Sequence, residues 1–160
     1  MSAGLGYLGL GSNLGDRRAL LQAAVEDLWA HGVQALAASS VYETEPVGEV
    51  LDQPAFLNAC LRIGTELGPE ELLAECKRVE SELGRESGGV RHGPRPIDVD
   101  ILLLGDLEYE SERLRIPHRD LATRRFVLEP LRELAPERVD ADRLAAVADQ
   151  RVTRVNGPSS

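Results

Sequence analysis

The sequence has little of several features that define common protein classes. Two cysteines, Cys60 and Cys76, are too few for a disulfide framework and lack the CxxC spacing of zinc sites, which indicates buried thiols. Two Phe, three Tyr and one Trp leave few rings for stacking bases, and a net charge of −9 opposes binding along a nucleic-acid backbone. The longest apolar runs, such as 101–104 and 144–148, are far shorter than the roughly 20 residues of a membrane span. We therefore predict a cytoplasmic protein that binds neither nucleic acid nor membrane.

The length and composition fit one compact domain. With 160 residues and a hydrophobic fraction of 42%, the chain can bury roughly 70% of its unfolded surface without a disulfide or metal. We assign 1–156 to this domain. The Gly-Pro-Ser-Ser tail at 157–160 is expected to be disordered.

The hydrophobic pattern predicts an order of elements that is found in a known fold. Strands are predicted at Tyr7–Leu10, Val33–Tyr42, Phe56–Thr65 and Ile97–Leu104, and helices from near Asp16 to His31–Gly32, from Gly68 to Leu83–Gly84 and from about Arg124 onward. A loop is predicted from Thr44 to Pro54. Residues 56–65 alternate, so that one face of that strand is apolar, with Leu57, Ala59, Leu61 and Ile63, and Asn58 lies on the other. The order βαββαβ is typical of an α+β, ferredoxin-like antiparallel sheet with both helices on one face. Further strand and helix elements would follow at the C-terminal side.

Glycines near the N-terminus partly match nucleotide-binding fingerprints. A literal GxGxxG at 4–9 precedes the first strand, whereas the dinucleotide fingerprint must follow one. The string at 9–15 lacks the third glycine of that fingerprint and the Lys-Ser/Thr of a Walker loop. It therefore predicts a turn from strand to helix, with direct ligand contact as the alternative.

Arginines are concentrated in the C-terminal half. From Arg113 to Arg125 there are five arginines against Asp120, a net charge of +4, and seventeen of the eighteen cations in the chain are arginine. Planar guanidinium groups suit phosphate recognition. A solvated basic surface is the alternative.

The most informative motif is a pair of carboxylates in the last predicted strand. Residues i and i+2 of a strand share a face, so Asp98 and Asp100 lie side by side while Val99 points the other way. Paired oxygen ligands of this kind suit Mg²⁺, which takes one or two protein carboxylates plus substrate phosphates. Arg95 and the glycine-rich segment 87–89 precede the pair, as expected of a loop that closes over phosphate. The alternative is an exposed, charged strand end.

The segment RHGPRPIDVDIL at 91–102 resembles the signature of the 6-hydroxymethyl-7,8-dihydropterin pyrophosphokinase family of folate biosynthesis. The resemblance covers most of the chain. It includes LGSNLG at 10–15, YETEP at 42–46, DQP at 52–54, FLN at 56–58, and IPHRD at 116–120 followed by Arg124 and Phe126. It implies a ferredoxin-like fold and transfer of pyrophosphate from ATP to the pterin, with AMP as the second product.

The resemblance also implies roles for individual residues. Asp98 and Asp100 would hold two Mg²⁺ ions on the ATP phosphates, and Asp98 could accept the proton of the pterin hydroxyl. Arg85 and Arg95 would meet the charge that develops on the transferred phosphate. The implied pterin-binding residues are Thr44, Glu45, Pro46, Phe56, Asn58, His92 and Phe126. The implied ATP-binding residues are Lys77, Glu80, Arg91, Arg95, Ile101, Arg113, Arg115, His118, Arg119 and Arg124.

Two departures from the family pattern fall in the loop before the carboxylates. Ser87 replaces a frequent second arginine, and His92 replaces a tryptophan that often closes over the pterin. We expect the segment 85–93 to be mobile without substrates and to close when ATP and pterin are both bound. Association with other folate-pathway enzymes is left open.

Two other classes of function use parts of the same pattern. An RNA-recognition module shares the βαββαβ order but requires an aromatic RNP string, which this sequence lacks. A different two-metal enzyme, such as a nucleotidyltransferase or a phosphohydrolase, could use the same aspartate pair. The products formed from ATP distinguish these classes.

Overall fold

The computed structural model describes residues 4–12, 17–44, 56–86, 97–118, 125–139, 141–148 and 152–154. Within these ranges the chain forms the strands β1 (Gly4–Ser12), β2 (Val33–Ala38), β3 (Tyr42–Thr44), β4 (Phe56–Thr65), β5 (Asp98–Leu104), β6 (Tyr109–Glu110), β7 (Arg115–Ile116) and β8 (Val152–Arg154). The helices are α1 (Arg17–Trp29), α2 (Pro69–Glu86), α3 (Arg125–Leu134) and α4 (Ala141–Ala146), with a 3-10 turn at Pro136–Arg138. The predicted tail at 157–160 lies outside the described residues.

Six of the strands form one sheet in which every described pairing is antiparallel. β1 lies between β5 and β4, while β2 and β3 both pair with the other side of β4, and β8 pairs with β3. The predicted mixture of helices with an antiparallel sheet is confirmed. Among the described residues, no helix combines the length and the apolar character needed to cross a membrane.

The single strand predicted over Val33–Tyr42 is wrong, because it is broken into β2 and β3. Ala38 pairs with Leu61 and Tyr42 with Asn58, so three residues on this side oppose two on β4. The Ser39 hydroxyl also accepts a hydrogen bond of 2.8 Å from the Cys60 amide. An extra residue interrupts a ladder in this way and bends the strand. The sequence predicts that the loop to Pro54 begins at Thr44, but Thr44 is the last residue of β3.

The helix predicted to end at Leu83–Gly84 is longer than its pattern indicates. Gly84 keeps a helical backbone, so α2 continues to Glu86. Arg85 therefore lies in the last turn of a helix, where the sequence predicts the start of a loop. Gly32, by contrast, has a φ of +89° and follows the end of α1, the conformation in which glycine commonly terminates a helix.

The sheet is covered on both faces. One face packs Leu8, Leu10, Ala59, Leu61 and Val99 against apolar side chains of α1 and α2. Leu57 and Ile63 belong to the same core cluster, which confirms the predicted apolar face of β4. The opposite face packs Tyr7, Cys60, Leu102 and Leu103 against Val127 and Leu131 of α3. Helix α3 thus covers one end of the face that also bears the paired aspartates.

Candidate functional site

The two aspartates of β5 project from one face of the sheet. Val99, between them, is 1% exposed and packs in the core under α1 and α2, so Asp98 and Asp100 point to the opposite side. Their Cα atoms are about 7 Å apart by the rise of a strand. Asp98 is half-buried and Asp100 is exposed. The arrangement predicted from the sequence is present.

Glycines separate these carboxylates from a buried amide. Gly11 of β1 pairs with Asp98 on one side and with Asn58 of β4 on the other. Gly9 pairs in the same way with Asp100 and Cys60. Directly paired residues share a face, so a strip without side chains at these two glycine positions lies between the aspartates and Asn58. Two strand spacings make it about 9–10 Å wide.

This strip was not predicted from the sequence, because the glycines were compared only with nucleotide-binding fingerprints. The useful signal is their alternation with Leu8 and Leu10, which places both glycines on the face away from the helical core. At Gly9 a Cβ would make an ordinary contact of 3.4 Å with the Leu102 side chain, so only a side chain longer than that of alanine would press on this leucine.

Three of the pterin residues implied by the resemblance, Thr44, Phe56 and Asn58, lie on the β3–β4 ladder. Asn58 is 7% exposed and pairs with Tyr42, and Thr44 pairs with Phe56 two residues further along. The side chains of Thr44 and Phe56 lie outside the described part of the chain, as do Glu45, Pro46 and His92. Phe126 lies in the first turn of α3, and its side chain is also not described. Asn58 is the one described side chain of this set.

The edge of β5 away from β1 brings together several of the implied nucleotide residues. Glu80 of α2 accepts a hydrogen bond of 2.8 Å from the Val99 amide, and the His118 amide donates one of 3.0 Å to the Leu102 carbonyl. The Val99 N–H therefore points away from β1. Backbone groups of alternate residues face the same edge, so the Ile101 N–H and C=O face it too. The Ile101 side chain is 2% exposed, which leaves its backbone as the part able to contact a ligand.

Two of the implied nucleotide residues lie one helical turn apart on α2. The Lys77 ammonium lies 3.4 Å from a Glu80 carboxylate oxygen. Lys77 is exposed, whereas Glu80 is largely buried against the edge of β5. Glu80 thus fixes α2 to this edge, and the ammonium of Lys77 remains accessible.

The implied basic residues divide into described and undescribed groups. Arg113 and Arg115 are exposed on the β6–β7 hairpin, and His118 follows it beside β5. The residues Arg91, Arg95, Arg119 and Arg124 lie outside the described ranges, and so does the side chain of Arg85. The expected closing segment is likewise outside them, apart from the helical backbone of Arg85 and Glu86.

The site offers two carboxylate ligands for a cation rather than a complete protein cage. Among the described residues there is no cluster of three or more His, Cys, Asp or Glu side chains suited to a metal. Mg²⁺ usually keeps waters and takes substrate phosphates beside one or two carboxylates. Asp98 and Asp100 fit that donor set.

Neither cysteine is suited to binding a metal. Burial raises the pKa of Cys60 and of Cys76 to about 12, and neighbouring charges add smaller effects of both signs. The thiolate form is therefore scarce at neutral pH. Cys60 lies under α3 and Cys76 under the other face of the sheet, which confirms the prediction of buried thiols.

Helix α3 is held to the sheet by polar contacts as well as by its apolar side. Glu133 accepts hydrogen bonds from the Tyr42 hydroxyl and, at 3.0 Å, from the Ser40 amide. Arg62 of β4 donates to the Tyr7 hydroxyl at 3.2 Å and to the Leu134 carbonyl at 2.5 Å. These bonds connect the helix that carries Phe126 to the strands that carry Asn58.

Replacing Tyr42 by phenylalanine should lower the free energy of unfolding by about 1–2 kcal/mol, because the hydroxyl donates to a carboxylate. Urea denaturation measures this loss. The control is Glu137→Gln on the exposed 3-10 turn, which should change stability by less than about 0.5 kcal/mol. Equal stability of the two variants would contradict the assigned anchoring.

Carboxylates that can hold a metal ion and accessible arginines are groups that enzymes of phosphate transfer use. The family model described as 7,8-dihydro-6-hydroxymethylpterin-pyrophosphokinase (HPPK) matches residues 7–136. The chain therefore belongs to the HPPK family.

Individual relatives agree with this membership. The chain is 48% identical over 134 residues to a Methylorubrum extorquens 2-amino-4-hydroxy-6-hydroxymethyldihydropteridine pyrophosphokinase, covering 83% of this chain and 84% of that protein. It is 43% identical over 139 residues to the mitochondrial folate synthesis bifunctional protein of Pisum sativum, covering 87% of this chain but 27% of that protein. The chain thus spans about a quarter of the length of such plant relatives.

A solved structure supports the fold. The crystal structure of a Plasmodium falciparum HPPK-DHPS matches with a TM-score of 0.66 at 15% identity, covering 90% of this chain and 45% of that one. At this identity the likeness concerns the fold alone.

Proposed function

We propose that this protein transfers pyrophosphate from ATP to 6-hydroxymethyl-7,8-dihydropterin in folate biosynthesis, giving AMP and the pterin pyrophosphate. The observation that carries the proposal is the shared row of Asp98, Gly11 and Asn58 in a chain of the HPPK family. A phosphate-binding end and an amide-binding end lie on one face, with no side chain at the intervening Gly11.

The proposed fold is ferredoxin-like with additional elements. Its support is the strand order, in which β5, β1 and β4 are neighbours and β2 forms the outer partner of β4. The packing of α1 and α2 on one face adds to this support. The additions to the ferredoxin-like core are β3, β8, the β6–β7 hairpin and α3. The proposed domain covers 1–156.

We propose that Asp98 and Asp100 hold Mg²⁺, with two ions expected once ATP is bound. The donor set fits, because both carboxylates share one face and Asp100 is exposed to an incoming nucleotide. Bound Mg²⁺ would neutralise charge on the polyphosphate and orient it. Without such compensation, two adjacent carboxylates would repel the phosphates that the reaction requires.

The reaction forms one P–O bond and breaks another. The pterin hydroxymethyl oxygen attacks the β-phosphorus of ATP, and the bond from that phosphorus to the oxygen bridging the α- and β-phosphates breaks. AMP leaves with this oxygen, and the hydroxyl proton is lost, with Asp98 as a nearby acceptor. Arg85 and Arg95 would meet the charge that develops on the β-phosphate. Positioning and electrostatics supply most of the catalysis in such transfers.

The nucleotide would lie along the edge of β5 away from β1. The Ile101 backbone offers one donor and one acceptor there, as an adenine edge requires, between Glu80 and His118. Lys77, Arg113 and Arg115 are the accessible cations that flank this edge. Arg91, Arg119 and Arg124 are assigned to the same subsite from the resemblance.

The pterin would bind at the other end of the row. Asn58 would hydrogen-bond the amide edge of the ring, Thr44 would add backbone contacts, and Phe126 and Phe56 would enclose the ring. Glu45, Pro46 and His92 complete the proposed pterin subsite from the resemblance. The anchoring of α3 to β3 and β4 supports this subsite, because it limits how far Phe126 can move from Asn58.

Asn58→Ala should raise the KM for the pterin by about 10- to 100-fold, because a ring edge that loses its partner forfeits about 1–3 kcal/mol. The KM for ATP should change little. Steady-state kinetics with each substrate varied in turn measures both values. Gln34→Ala, which removes an exposed amide on β2, is the matched control. An equal rise in both KM values would argue against pterin recognition by Asn58.

The reaction itself is tested by incubating the protein with ATP, Mg²⁺ and 6-hydroxymethyl-7,8-dihydropterin and identifying the nucleotide product. AMP that appears only with the pterin supports pyrophosphate transfer. ADP would indicate a simple kinase. ATP breakdown independent of the pterin would indicate a phosphohydrolase, and an unchanged nucleotide would indicate a binding protein.

Association with other folate-pathway enzymes is a further proposal. Its support is the name of the Pisum sativum relative, a bifunctional folate synthesis protein. Location in the cytoplasm stays a prediction from the sequence.

A further inference from the structure

The β6–β7 hairpin is too small to hold its own shape. It contains two residue pairs, Tyr109 with Ile116 and Glu110 with Arg115, and forms a sheet separate from the main one. Two-stranded hairpins are marginally stable even when they are longer than this one. Yet this hairpin carries Arg113 and Arg115, and the chain continues from it to His118. Contacts outside the hairpin must therefore set where these three residues lie.

One side of the hairpin is held by apolar packing. Leu114 is 8% exposed and Ile116 is 2% exposed, both within the core under α1 and α2, and the Tyr109 ring packs against that core. Beyond the hairpin, the His118 amide is bonded to the Leu102 carbonyl of β5. These contacts fix β7 and the ring of Tyr109. They leave the Tyr109 hydroxyl and the turn to be held by polar contacts.

A glutamate from another element holds the β6 side. Glu70, in the first turn of α2, accepts a hydrogen bond of 2.5 Å from the Tyr109 hydroxyl and one of 2.9 Å from the Ser111 hydroxyl, both on the same carboxylate oxygen. Both bonds lower the pKa of Glu70, and the bond between Tyr109 and Glu70 raises the pKa of Tyr109. The positive end of the α2 dipole also favours the carboxylate. At neutral pH Glu70 is therefore an ionised acceptor for both hydroxyls.

The contact continues into the backbone beside an arginine. The Ser111 hydroxyl donates to Glu70 and accepts a hydrogen bond of 3.3 Å from the Arg113 amide. A displacement of the Glu70 carboxylate would thus be transmitted through Ser111 to the turn that presents Arg113. Arg115 is paired with Glu110, the neighbour of Tyr109, and would move with the same strand.

We propose that Glu70, together with Tyr109 and Ser111, positions the hairpin so that Arg113, Arg115 and His118 can bind the ATP polyphosphate. This inference rests on the proposed function. Glu70 is a positioning residue, since it acts through the hairpin and itself carries a charge that repels phosphate. The set of Glu70, Tyr109 and Ser111 is called the hairpin clasp below.

The test compares clasp variants with a control on the same helix. Tyr109→Phe, Ser111→Ala and Glu70→Gln should each raise the KM for ATP by about three- to tenfold, the cost of a misplaced phosphate contact. The value of kcat and the KM for the pterin should change less than about twofold. Glu75→Gln, which changes a partly buried carboxylate that is bonded to Arg78 of the same helix and not to the hairpin, should leave all three values unchanged. Equal changes in the clasp variants and the control would overturn the proposal.

Coupling to the arginines separates positioning from a general effect on folding. In a protein carrying both Arg113→Ala and Arg115→Ala, Tyr109→Phe should raise the KM for ATP no further. A full additional loss in that background would overturn the proposal. Amide exchange over 109–116 should rise in each clasp variant but not in Glu75→Gln. Unchanged exchange would also overturn it.

The same experiments distinguish a failure of the proposed function from a failure of the clasp proposal. If the unmodified protein forms no AMP, the proposed function fails. If it forms AMP and the double arginine variant binds ATP normally, the reaction stands and the clasp proposal fails. If the arginine variant binds ATP weakly but clasp variants do not, the arginine assignment stands and the clasp proposal again fails. Binding of a non-hydrolysable ATP analogue, measured by calorimetry, supplies the affinities without turnover.

Discussion

Replacing Asp100 by alanine is expected to reduce AMP formation by at least about 10³-fold, because the polyphosphate would lose several kcal/mol of charge compensation. Asp98→Ala should have a similar effect. Asp100→Asn should also be inactive, since it keeps the size of the side chain but not its charge. Quenched assays of AMP at saturating substrates and Mg²⁺ measure the loss.

The fold should tolerate these changes. Asp100 is exposed and faces Gly9, so its removal opens no core cavity and relieves repulsion with Asp98. The midpoint of thermal unfolding should stay the same or rise slightly, and pterin binding should persist. Asp106→Ala is the matched control, because that aspartate is fully exposed in the turn after β5. Near-normal AMP formation by Asp100→Ala would refute the metal assignment.

The parts of the site that depend on strand alternation could be predicted from the sequence. The pattern of β4 gave its bounds, Phe56–Thr65, and the side of the sheet to which Asn58 belongs. The spacing of Asp98 and Asp100 likewise determined their common face, because the period of a strand is two. Alternation within one strand is a local property, and a single sequence contains it.

The parts that depend on register or on distant partners could not be predicted. That Gly11 lies between Asp98 and Asn58 follows from the pairing of three strands, which no one strand encodes. The sequence predicts no element between Leu104 and Arg124, since strands of two residues give no periodic signal. Glu70, which lies 39 positions before Tyr109, holds the hairpin found there. The break after Ala38 depends on one extra residue opposite β4.

The second large effect is expected from Arg95, which lies outside the described residues and three positions before Asp98. Arg95→Ala should lower kcat by about 10²-fold or more, with a smaller change in ATP affinity. A guanidinium that meets charge only as it develops contributes to the transition state and little to the ground state. Pre-steady-state measurement of the first turnover separates the chemical step from product release.

The loss in kcat compared with the loss in ATP affinity determines the role of Arg95. Arg95→Lys should recover only part of the rate, because an ammonium cannot make the paired contacts of a guanidinium. Arg143→Ala, an exposed arginine on α4, is the control and should react normally. If the loss in Arg95→Ala lies entirely in the KM for ATP, Arg95 anchors the ground-state phosphate. The charge on the transferred group would then be met by Arg85 and by the Mg²⁺ that Asp98 and Asp100 would hold. The loop before β5 would serve binding rather than the chemical step.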